Sequence, residues 1–190
     1  QSLKLSRELG DMHGIANSLD NIGIIYENLN NYNKAIDYYL ESMKIEEEIG
    51  DAKGVASSLN NIGIIYDDQK QYEKALDYYL RSLELNEQIS FRNGIANSLN
   101  NIGVVYENLN DYEKSLTYHL RALGMFEELG HKKGYAASLN NIGTVYLHLG
   151  DYEKANDYLF RSLEVAREIE TRDMEVEIYE KLSRLSAEQG

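Results

Sequence analysis

Serine and histidine are the residues of this chain that could support nucleophilic catalysis, but their spacing does not. The serines that recur at a fixed interval are Ser18, Ser58, Ser98 and Ser138. A catalytic triad needs a histidine and a carboxylate beside the serine, yet no histidine recurs with this set. The histidines are His13, His119, His131 and His148, without an i, i+4 pair, and cysteine is absent. The sequence therefore predicts neither a triad nor a zinc site.

The glycines also lack the pattern of a phosphate-binding or calcium-binding loop. The chain has no Walker-type or dinucleotide-type glycine motif and no Asp-x-Asp-x-Asp-Gly segment. Gly50 and Gly54 enclose three residues at a helix junction, and the same spacing recurs in the segment GHKKG. We interpret these glycines as a turn followed by a packing position. We expect no cofactor, no metal and no enzyme activity in this chain.

Paired asparagines are the better candidates for a functional site, through hydrogen bonding. One set recurs at the same fixed interval as the serines: Asn21, Asn61, Asn101 and Asn141. The residues directly before them are Asp20, Asn60, Asn100 and Asn140. A carboxamide carries both a donor and an acceptor, so it can pair with both backbone groups of an extended peptide without reading its side chains. Each such bond contributes about 0.5–1.5 kcal/mol net, so several are needed for useful affinity.

Charge and composition exclude several classes of partner. The 190-residue chain has a formal net charge of −13 and contains no proline. Binding to a phosphate backbone needs clustered Lys and Arg, so we expect no nucleic acid and no membrane partner. Solubility alone also explains such a charge. Neither a bilayer-spanning apolar run nor a signal peptide is evident, so we expect a cytoplasmic protein.

The asparagines belong to an internal 40-residue repeat. The same interval separates the glycines Gly14, Gly54, Gly94 and Gly134, and the tyrosines Tyr26, Tyr66, Tyr106 and Tyr146. Each copy contains two helical patterns. In the first pattern of one copy, apolar residues and a glycine fall at i, i+3, i+4 and i+7 from Leu59 to Tyr66, which is one face of a helix. The second pattern runs from Tyr72 to Ile89.

The turns and the small residues allow more specific predictions. The middle turn residue is Asn30, Lys70, Asn110 or Gly150, and Asn and Gly tolerate the left-handed conformation that ends a helix. The predicted N-caps of the second helix are Asn31, Asp111 and Asp151, with Gln71 a weak cap. The glycines inside the first helix are Gly23, Gly63, Gly103 and Gly143. We expect them to lie against the small residues Ala35, Ala75, Ser115 and Ala155.

This arrangement resembles the tetratricopeptide repeat (TPR). The family pattern is filled here by Leu59, Ile62, Gly63, Tyr66, Ala75, Tyr79 and Ser82. The family unit has about 34 residues, so longer helices are expected, and its closing proline is replaced by Glu47, Glu87, Glu127 and Arg167. Units of the longer kind found here are similar to those of kinesin light chain, Leu-Gly-Asn polarity adaptors and bacterial signalling proteins.

The resemblance implies an all-α fold, a right-handed superhelical solenoid of antiparallel helix pairs. We expect one array over residues 1–190, with full repeats at 12–51, 52–91, 92–131 and 132–171. Residues 1–11 match the end of a repeat, and residues 172–190 read as a partial repeat or a capping helix. Because the chain starts inside a repeat, we expect a fragment of a larger signalling or regulatory protein.

The first helices of TPR arrays line a concave wall, so the resemblance implies asparagine rows along a groove. The predicted peptide-binding residues are Asn21, Asn60, Asn61, Asn100, Asn101, Asn140, Asn141, Glu27, Asp67 and Glu107. The acidic members favour a basic or mixed ligand segment. Alternatively, the row that starts at Asn21 holds neighbouring repeats together. We expect the set Asn60, Asn100 and Asn140 to be the more exposed one. We expect the tyrosines Tyr38, Tyr78, Tyr118 and Tyr158 to pack between units.

These features predict a non-catalytic scaffold that binds a protein or peptide segment in the concave groove. Clamp-type TPR domains hold a C-terminal carboxylate with Lys and Arg, and the matching positions here include Asn60, Ile64, Asn100 and Val104. A chaperone-tail adaptor is therefore not expected. The alternative is a structural self-association module, in which exposed solenoid ends stack into a homo-oligomer.

Overall fold

The structure is a computed structural model that describes the backbone of residues 2–189 and the side chains of residues 2–187. Gln1 and Gly190, the ends of the predicted array, lie outside the described residues. Every regular element within the described range is an α-helix, which confirms the predicted all-α class. The helices are α1 (Ser2–Leu9), α2 (Met12–Asn28), α3 (Tyr32–Ile49), α4 (Ala52–Asp68), α5 (Tyr72–Gln88), α6 (Arg92–Asn108), α7 (Tyr112–Glu128), α8 (Lys132–His148), α9 (Tyr152–Glu168) and α10 (Arg172–Gln189).

The helix starts follow the interval of the sequence repeat. We call α2, α4, α6 and α8 the first-type helices and α3, α5, α7 and α9 the second-type helices. The first-type helices begin at Met12, Ala52, Arg92 and Lys132, and α10 continues the series at Arg172. Among the helices of the described residues, none combines the length and the apolar character that crossing a bilayer requires.

The chain divides into two compact units, residues 1–98 and residues 99–190. In the first unit, α2 and α3 are antiparallel: residues later in α3 contact residues earlier in α2. The ring of Tyr38 stacks on Tyr26 with centroids 5.4 Å apart, and Ser42 Oγ donates to the Ala16 carbonyl oxygen at 2.9 Å. A core cluster that includes Tyr39 and Ile62 joins α3 to α4.

The second unit repeats this packing. Ser162 Oγ donates to the Ala136 carbonyl oxygen at 2.8 Å, the same contact that Ser42 makes in the first unit. A core cluster then joins α9 to α10, and its buried members are Leu159, Leu163, Ala166, Ile178 and Leu182. The helix after the last full hairpin is therefore packed through an apolar face.

The glycine inside each first-type helix marks a close approach, but its predicted partner is wrong. A Cβ on Gly23 would lie 2.6 Å from the ring of Tyr39, and a Cβ on Gly63 would lie 2.7 Å from the ring of Tyr79. The contacting residue is thus the large one four positions after Ala35 or its equivalent. The alanine is fully buried beside it. The glycine makes room for a large side chain, a ring in the first three copies and Leu159 in the fourth, rather than for a second small residue.

The turn predictions are largely confirmed. The residues with positive φ in the turns between first-type and second-type helices are Asn30, Lys70, Asn110 and Gly150. The carboxylates of Asp111 and Asp151 accept from the backbone N–H three residues later, at 3.2 Å. Gln71 makes no side-chain cap bond, as expected, but Asn31 makes none either, so that cap prediction is wrong.

The tyrosines pack within hairpins, which corrects the expectation that they pack between units. The stacked pairs are Tyr26–Tyr38, Tyr66–Tyr78, Tyr106–Tyr118 and Tyr146–Tyr158, with centroids 5.4–5.6 Å apart. A lysine ammonium also lies over the first ring of each pair, as Lys74 does at 5.1 Å from the centroid of Tyr66. Such cation–π contacts are worth roughly 0.5–1 kcal/mol at exposed sites, so they strengthen each hairpin.

Candidate functional site

The predicted asparagines of the first unit lie on α2 and α4 with different exposure. Asn21 is exposed, whereas Asn60 and Asn61 are half-buried. All lie on first-type helices, because the repeat places the asparagines just before the glycine that packs on the second-type helix. The side chains of Asn60 and Asn61 line a half-open cavity.

This cavity, which we call the amide cavity, lies between α4, α5 and α6 and has a volume of about 230 Å³. Its amides are Asn60, Asn61, Asn86 and Asn97. Its hydroxyls are Ser57, Ser82 and Ser98. Its apolar wall consists of Ala56, Phe91 and Gly94. The lining therefore holds hydrogen-bonding groups and no formal charge.

The hydrogen bonds inside the amide cavity are long. Asn86 Nδ2 donates to Ser82 Oγ at 3.3 Å and to Ser98 Oγ at 3.5 Å, and the two hydroxyls are 3.2 Å apart. Typical N–H···O distances are about 2.9–3.0 Å. Asn86 is only 3% exposed. Its Nδ2 atom is therefore buried, and the hydrogen bonds that it makes are longer than typical ones. Sequence analysis missed Asn86, although it stands where other copies of the repeat carry Glu46 and Phe126.

The equivalent place between α2, α3 and α4 is acidic, and we call it the acidic junction. It contains Asp20, Ser42, Glu46 and Ser58. Ser58 Oγ lies 2.9 Å from Glu46 Oε2 and 3.3 Å from Asp20 Oδ1. Burial raises the pKa of Asp20, and burial together with the charge of Asp20 raises the pKa of Glu46 to about 7. The closeness of the two carboxyl groups therefore favours the protonated form of Glu46.

The predicted acidic residues Glu27 and Asp67 lie near buried tyrosines. Tyr39 Oη donates to Glu27 Oε2 at 2.7 Å. Burial raises the pKa of Tyr39 and, with help from that carboxylate, keeps the hydroxyl protonated as a donor. The pKa of Tyr79 is raised in the same way by burial and by the charge of Asp67. Both carboxylates are half-buried, so part of each remains open to a ligand.

In the second unit, Asn100 is a hub of internal hydrogen bonds. Its Oδ1 atom accepts from His119 Nδ1 at 3.1 Å, from Asn141 Nδ2 at 3.2 Å and from Ser138 Oγ at 3.4 Å. The bonds from α8 to α6 connect successive first-type helices. They are the contacts expected if asparagines hold neighbouring repeats together. Asn101 and Asn141 are half-buried, as Asn61 is in the first unit.

Asn140 is more enclosed than predicted. It is 4% exposed, so the expectation that Asn60, Asn100 and Asn140 form the more exposed set is wrong for this residue. The reason is α10, whose side chains cover it. Asn140 donates to Glu177 Oε1 at 2.8 Å, and its own oxygen accepts from Lys181 Nζ at 3.1 Å.

Glu107 lies near His148, and a second histidine occupies the repeat position of Tyr39. His119 stands at the repeat position of Tyr39 and is fully buried, which lowers its pKa to about 4 and keeps it neutral. Its Nδ1–H is used by Asn100, and its Nε2 atom has no hydrogen-bond partner among the described residues. Burial raises the pKa of Glu107 to about 7, and His148 Nε2 lies 3.6 Å away.

The residue at the repeat position of Tyr39 and the residue 12 positions before it change together along the chain. The second-type residues are Tyr39, Tyr79, His119 and Leu159, and the first-type residues 12 positions earlier are Glu27, Asp67, Glu107 and Leu147. A donor faces an acid in the early copies, and leucine replaces both in the last copy. This covariation within the repeat is the signal that could have identified His119 from the sequence.

A metal centre is not formed by these groups. Among the side chains that the structure describes, no cluster of three or more His, Asp or Glu is placed to hold a metal ion. The titratable groups of the site are instead single carboxylates and imidazoles in hydrogen bonds. The arrangement can exchange hydrogen bonds with a ligand and can hold protons near neutral pH.

Helix hairpins repeated at a fixed interval, with an amide at one position of every first-type helix, define an α-helical repeat protein. Residues 14–88 and 94–168 match the family model of the tetratricopeptide repeat. The chain belongs to the tetratricopeptide repeat family. No curated protein matches it.

Solved structures share the fold. BtubC (BKLC) from P. vanneervenii is 24% identical with a TM-score of 0.73, over 85% of this chain and 66% of that one. Aspartyl phosphate phosphatase F from Bacillus subtilis is 19% identical with a TM-score of 0.83, over 89% and 44%. A Rap protein complexed with competence and sporulation factor is 20% identical with a TM-score of 0.72, over 93% and 54%. The chain thus spans less than two thirds of each of these proteins.

Proposed function

We propose that this chain is a non-catalytic scaffold that binds an extended protein or peptide segment along its first-type helices. The observation that supports this role is the repetition of one carboxamide on α2, α4, α6 and α8. Asn21 is exposed and Asn61, Asn101 and Asn141 are half-buried, so each keeps contact with solvent. A surface that is already ordered spares one partner the entropy cost of binding.

The comparisons and the charges support the same proposal. A Rap protein of this fold was solved as a complex with competence and sporulation factor, so a helical array of this kind can hold a ligand. Glu27, Asp67 and Glu107 lie on the same helices as the asparagines, and they favour a basic or mixed segment. The cytoplasmic location and the place within a larger signalling protein belong to this proposal.

A peptide-display selection followed by fluorescence anisotropy tests the proposal. Asn21→Ala combined with Asn61→Ala should weaken the best selected peptide about tenfold, because two bonds of about 0.5–1.5 kcal/mol are lost. Asn33→Ala, an exposed change on α3, is the matched control and should leave the affinity unchanged. Asn100 is unsuitable, because its removal would also break internal bonds. Failure to select any peptide, or equal affinity in the double variant, would overturn the proposal.

Self-association is the second candidate, and exposed apolar residues favour it. Leu5 and Leu9 on α1 are 57% and 72% exposed, and Val176 and Tyr179 on α10 are 57% and 46% exposed. Sedimentation velocity over a hundredfold range of protein concentration separates the two functions. A concentration-dependent oligomer that Leu9→Glu or Val176→Glu disperses would favour self-association. A constant monomer would exclude it.

A further inference from the structure

We propose that the amide cavity is a pocket for a carboxamide, namely the side chain of Gln or Asn in a bound segment. This proposal rests on the proposed scaffold function, and it adds a preference for one side chain to a surface that otherwise reads only backbone.

The cavity exists because Asn86 is short. The corresponding residue of the acidic junction, Glu46, reaches Ser58 Oγ on the next first-type helix at 2.9 Å. The corresponding residue in the second unit, Phe126, places its ring 5.3 Å from the ring of His131. Asn86 reaches Ser98 Oγ, the equivalent of Ser58, only at 3.5 Å, and about 230 Å³ beside it stays open. That volume is enough for one side chain of intermediate size.

Asn86 and Asn97 can offer hydrogen bonds to a ligand in this space. Asn86 is 3% exposed and is held by bonds of 3.3 and 3.5 Å. Bonds of this length are weak, whereas a buried amide gains most from short, well-aligned partners. Asn97 is exposed at the rim and can follow a ligand into the pocket. The built-in partners of Asn86 therefore leave hydrogen-bonding capacity that a guest could use.

The charge of the pocket selects a neutral guest. No acidic or basic side chain lines the cavity, and burying an unpaired charge there would be costly. A purely apolar guest would leave the amides of Asn61 and Asn86 facing it without water. A carboxamide offers a donor and an acceptor in one flat group, and Phe91 and Ala56 supply an apolar wall for its methylene groups. Lys53, whose Nζ lies 4.4 Å from the centroid of the Phe91 ring, disfavours a cationic guest in particular.

Two probes that differ in one atom group test the pocket directly. N-acetyl-glutamine methylamide and N-acetyl-glutamate methylamide should be titrated into the ¹⁵N-labelled full chain at pH 7. We expect saturable shifts at the Asn86 side-chain amide and at Gly94 with the glutamine probe. The glutamate probe should bind at least fivefold more weakly. Equal binding of both probes would overturn the proposal, and it would point to the nearby Lys53 or to backbone contacts.

Two variants complete the test. Asn86→Leu keeps the branching and the number of side-chain heavy atoms and removes the amide, so the glutamine probe should lose at least tenfold in affinity. Asn97→Ala changes an exposed residue, keeps the fold and should weaken the probe about threefold. Unchanged probe binding in both variants would overturn the pocket. Peptides selected against the chain should also be enriched in Gln or Asn at one position. Selected peptides that bind without that preference and ignore Asn86→Leu would overturn the pocket and leave the scaffold function standing.

Discussion

The acidic junction and the amide cavity occupy the same repeat positions, but their chemistry differs. Asp20 corresponds to Asn60 and Glu46 corresponds to Asn86, while serines stand at the other two positions of both sites. In the acidic junction the longer carboxyl side chain reaches Ser58 on the next first-type helix, and its pKa is raised. In the amide cavity the shorter side chain leaves an opening. The two sites thus differ at two positions. With two acids the site is a closed contact between helices, and with two amides it is a candidate binding pocket.

The hydrogen-bond lengths show the same contrast. Ser58 Oγ lies 2.9 Å from Glu46 Oε2, whereas Ser98 Oγ lies 3.5 Å from Asn86 Nδ2. Hydrogen bonds to ionised acceptors are shorter and stronger than neutral ones. We therefore expect the acidic junction to control stability and its pH dependence, and the amide cavity to contribute little to either.

The largest effect is expected from Glu46→Gln at alkaline pH. Burial and Asp20 raise the pKa of Glu46 to about 7 from an ordinary value of 4.5, so the folded chain binds more protons than the unfolded chain between these values. The free energy of unfolding therefore falls as pH rises through this window, by about 1.4 kcal/mol for each unit of pKa difference. Glu46→Gln should raise stability by about 2–3 kcal/mol at pH 8 and by little at pH 4.5. Urea unfolding at both pH values measures this difference.

A transplant of the amide pattern is the control for that prediction. Asp20→Asn combined with Glu46→Asn copies the residues of the amide cavity into the acidic junction. Between pH 4.5 and pH 8, the free energy of unfolding of this variant should change less with pH, because the contribution of the acidic junction is absent. A slope equal to that of the unmodified chain would show that the two carboxyl groups do not carry the pH dependence.

Glycine-to-alanine changes should distinguish a filled site from an open one. A Cβ on Gly54 would lie 2.7 Å from Glu46 Cδ, and a Cβ on Gly94 would lie 2.5 Å from Asn86 Cγ. Overpacking of this kind costs about 1–3 kcal/mol. Gly54→Ala should cost more than Gly94→Ala, because Glu46 is held in place while Asn86 can move into the cavity. Thermal unfolding of both variants compares the costs.

Gly124→Ala is the matched control, since an added Cβ there meets no atom within 4 Å. Gly124 lies inside α7, and alanine is favoured over glycine in a helix by roughly 1 kcal/mol. This variant should therefore be more stable than the unmodified chain. Equal losses in Gly54→Ala and Gly94→Ala would argue that the cavity is rigid.

Serine-to-alanine changes provide a smaller test of the same contrast. Ser58→Ala removes a donor to both carboxyl groups and should cost about 2 kcal/mol, in the range for bonds to charged groups. Ser98→Ala removes only long, neutral contacts and should cost about 0.5 kcal/mol. Ser58→Ala should also raise the pKa of Glu46 further, because this hydrogen bond lowers it. Urea titrations measure the stabilities, and ¹³C-detected NMR of the carboxyl group follows the pKa.

A modest stabilising effect at neutral pH is expected from His119→Tyr in the second unit. A tyrosine could donate to Glu107 as Tyr39 donates to Glu27, which should stabilise the chain by about 1 kcal/mol at pH 7. Burial lowers the pKa of His119 to about 4 from 6.5, so the unfolded chain binds more protons between these values and stability falls as pH drops through them. The variant should escape this loss and gain more at pH 5. A smaller gain in stability at pH 5 than at pH 7 would contradict the lowered pKa of the buried His119.

Local sequence signals predicted the helices and their ends well. The 3.6-residue periodicity around Leu59 and the left-handed turn at Asn30 depend on residues close together in the chain, so their consequences can be read without a fold. The aspartate caps at 111 and 151 are of the same kind. The missing cap at Asn31 shows that the residue type alone does not ensure the bond.

The environment of the site could not be predicted in the same way. Asn60, Asn100 and Asn140 are equivalent in sequence, yet the first lines a cavity, the second accepts three internal bonds and the third is covered by α10. Their neighbours come from helices that follow in the chain, and those helices differ between copies. A repeat pattern identifies the shared position but not the residues that surround it.

By itself, the sequence determined an all-α chain of repeated helix pairs, since periodicity, turn residues and the tyrosine and glycine positions are local and recur at one interval. Only the tertiary structure decided which asparagines stay accessible, which acids lose their water and where a short side chain leaves an opening. The physical reason is that burial and pKa depend on atoms brought together from separate helices. One residue type at one register can therefore have a different role in each copy.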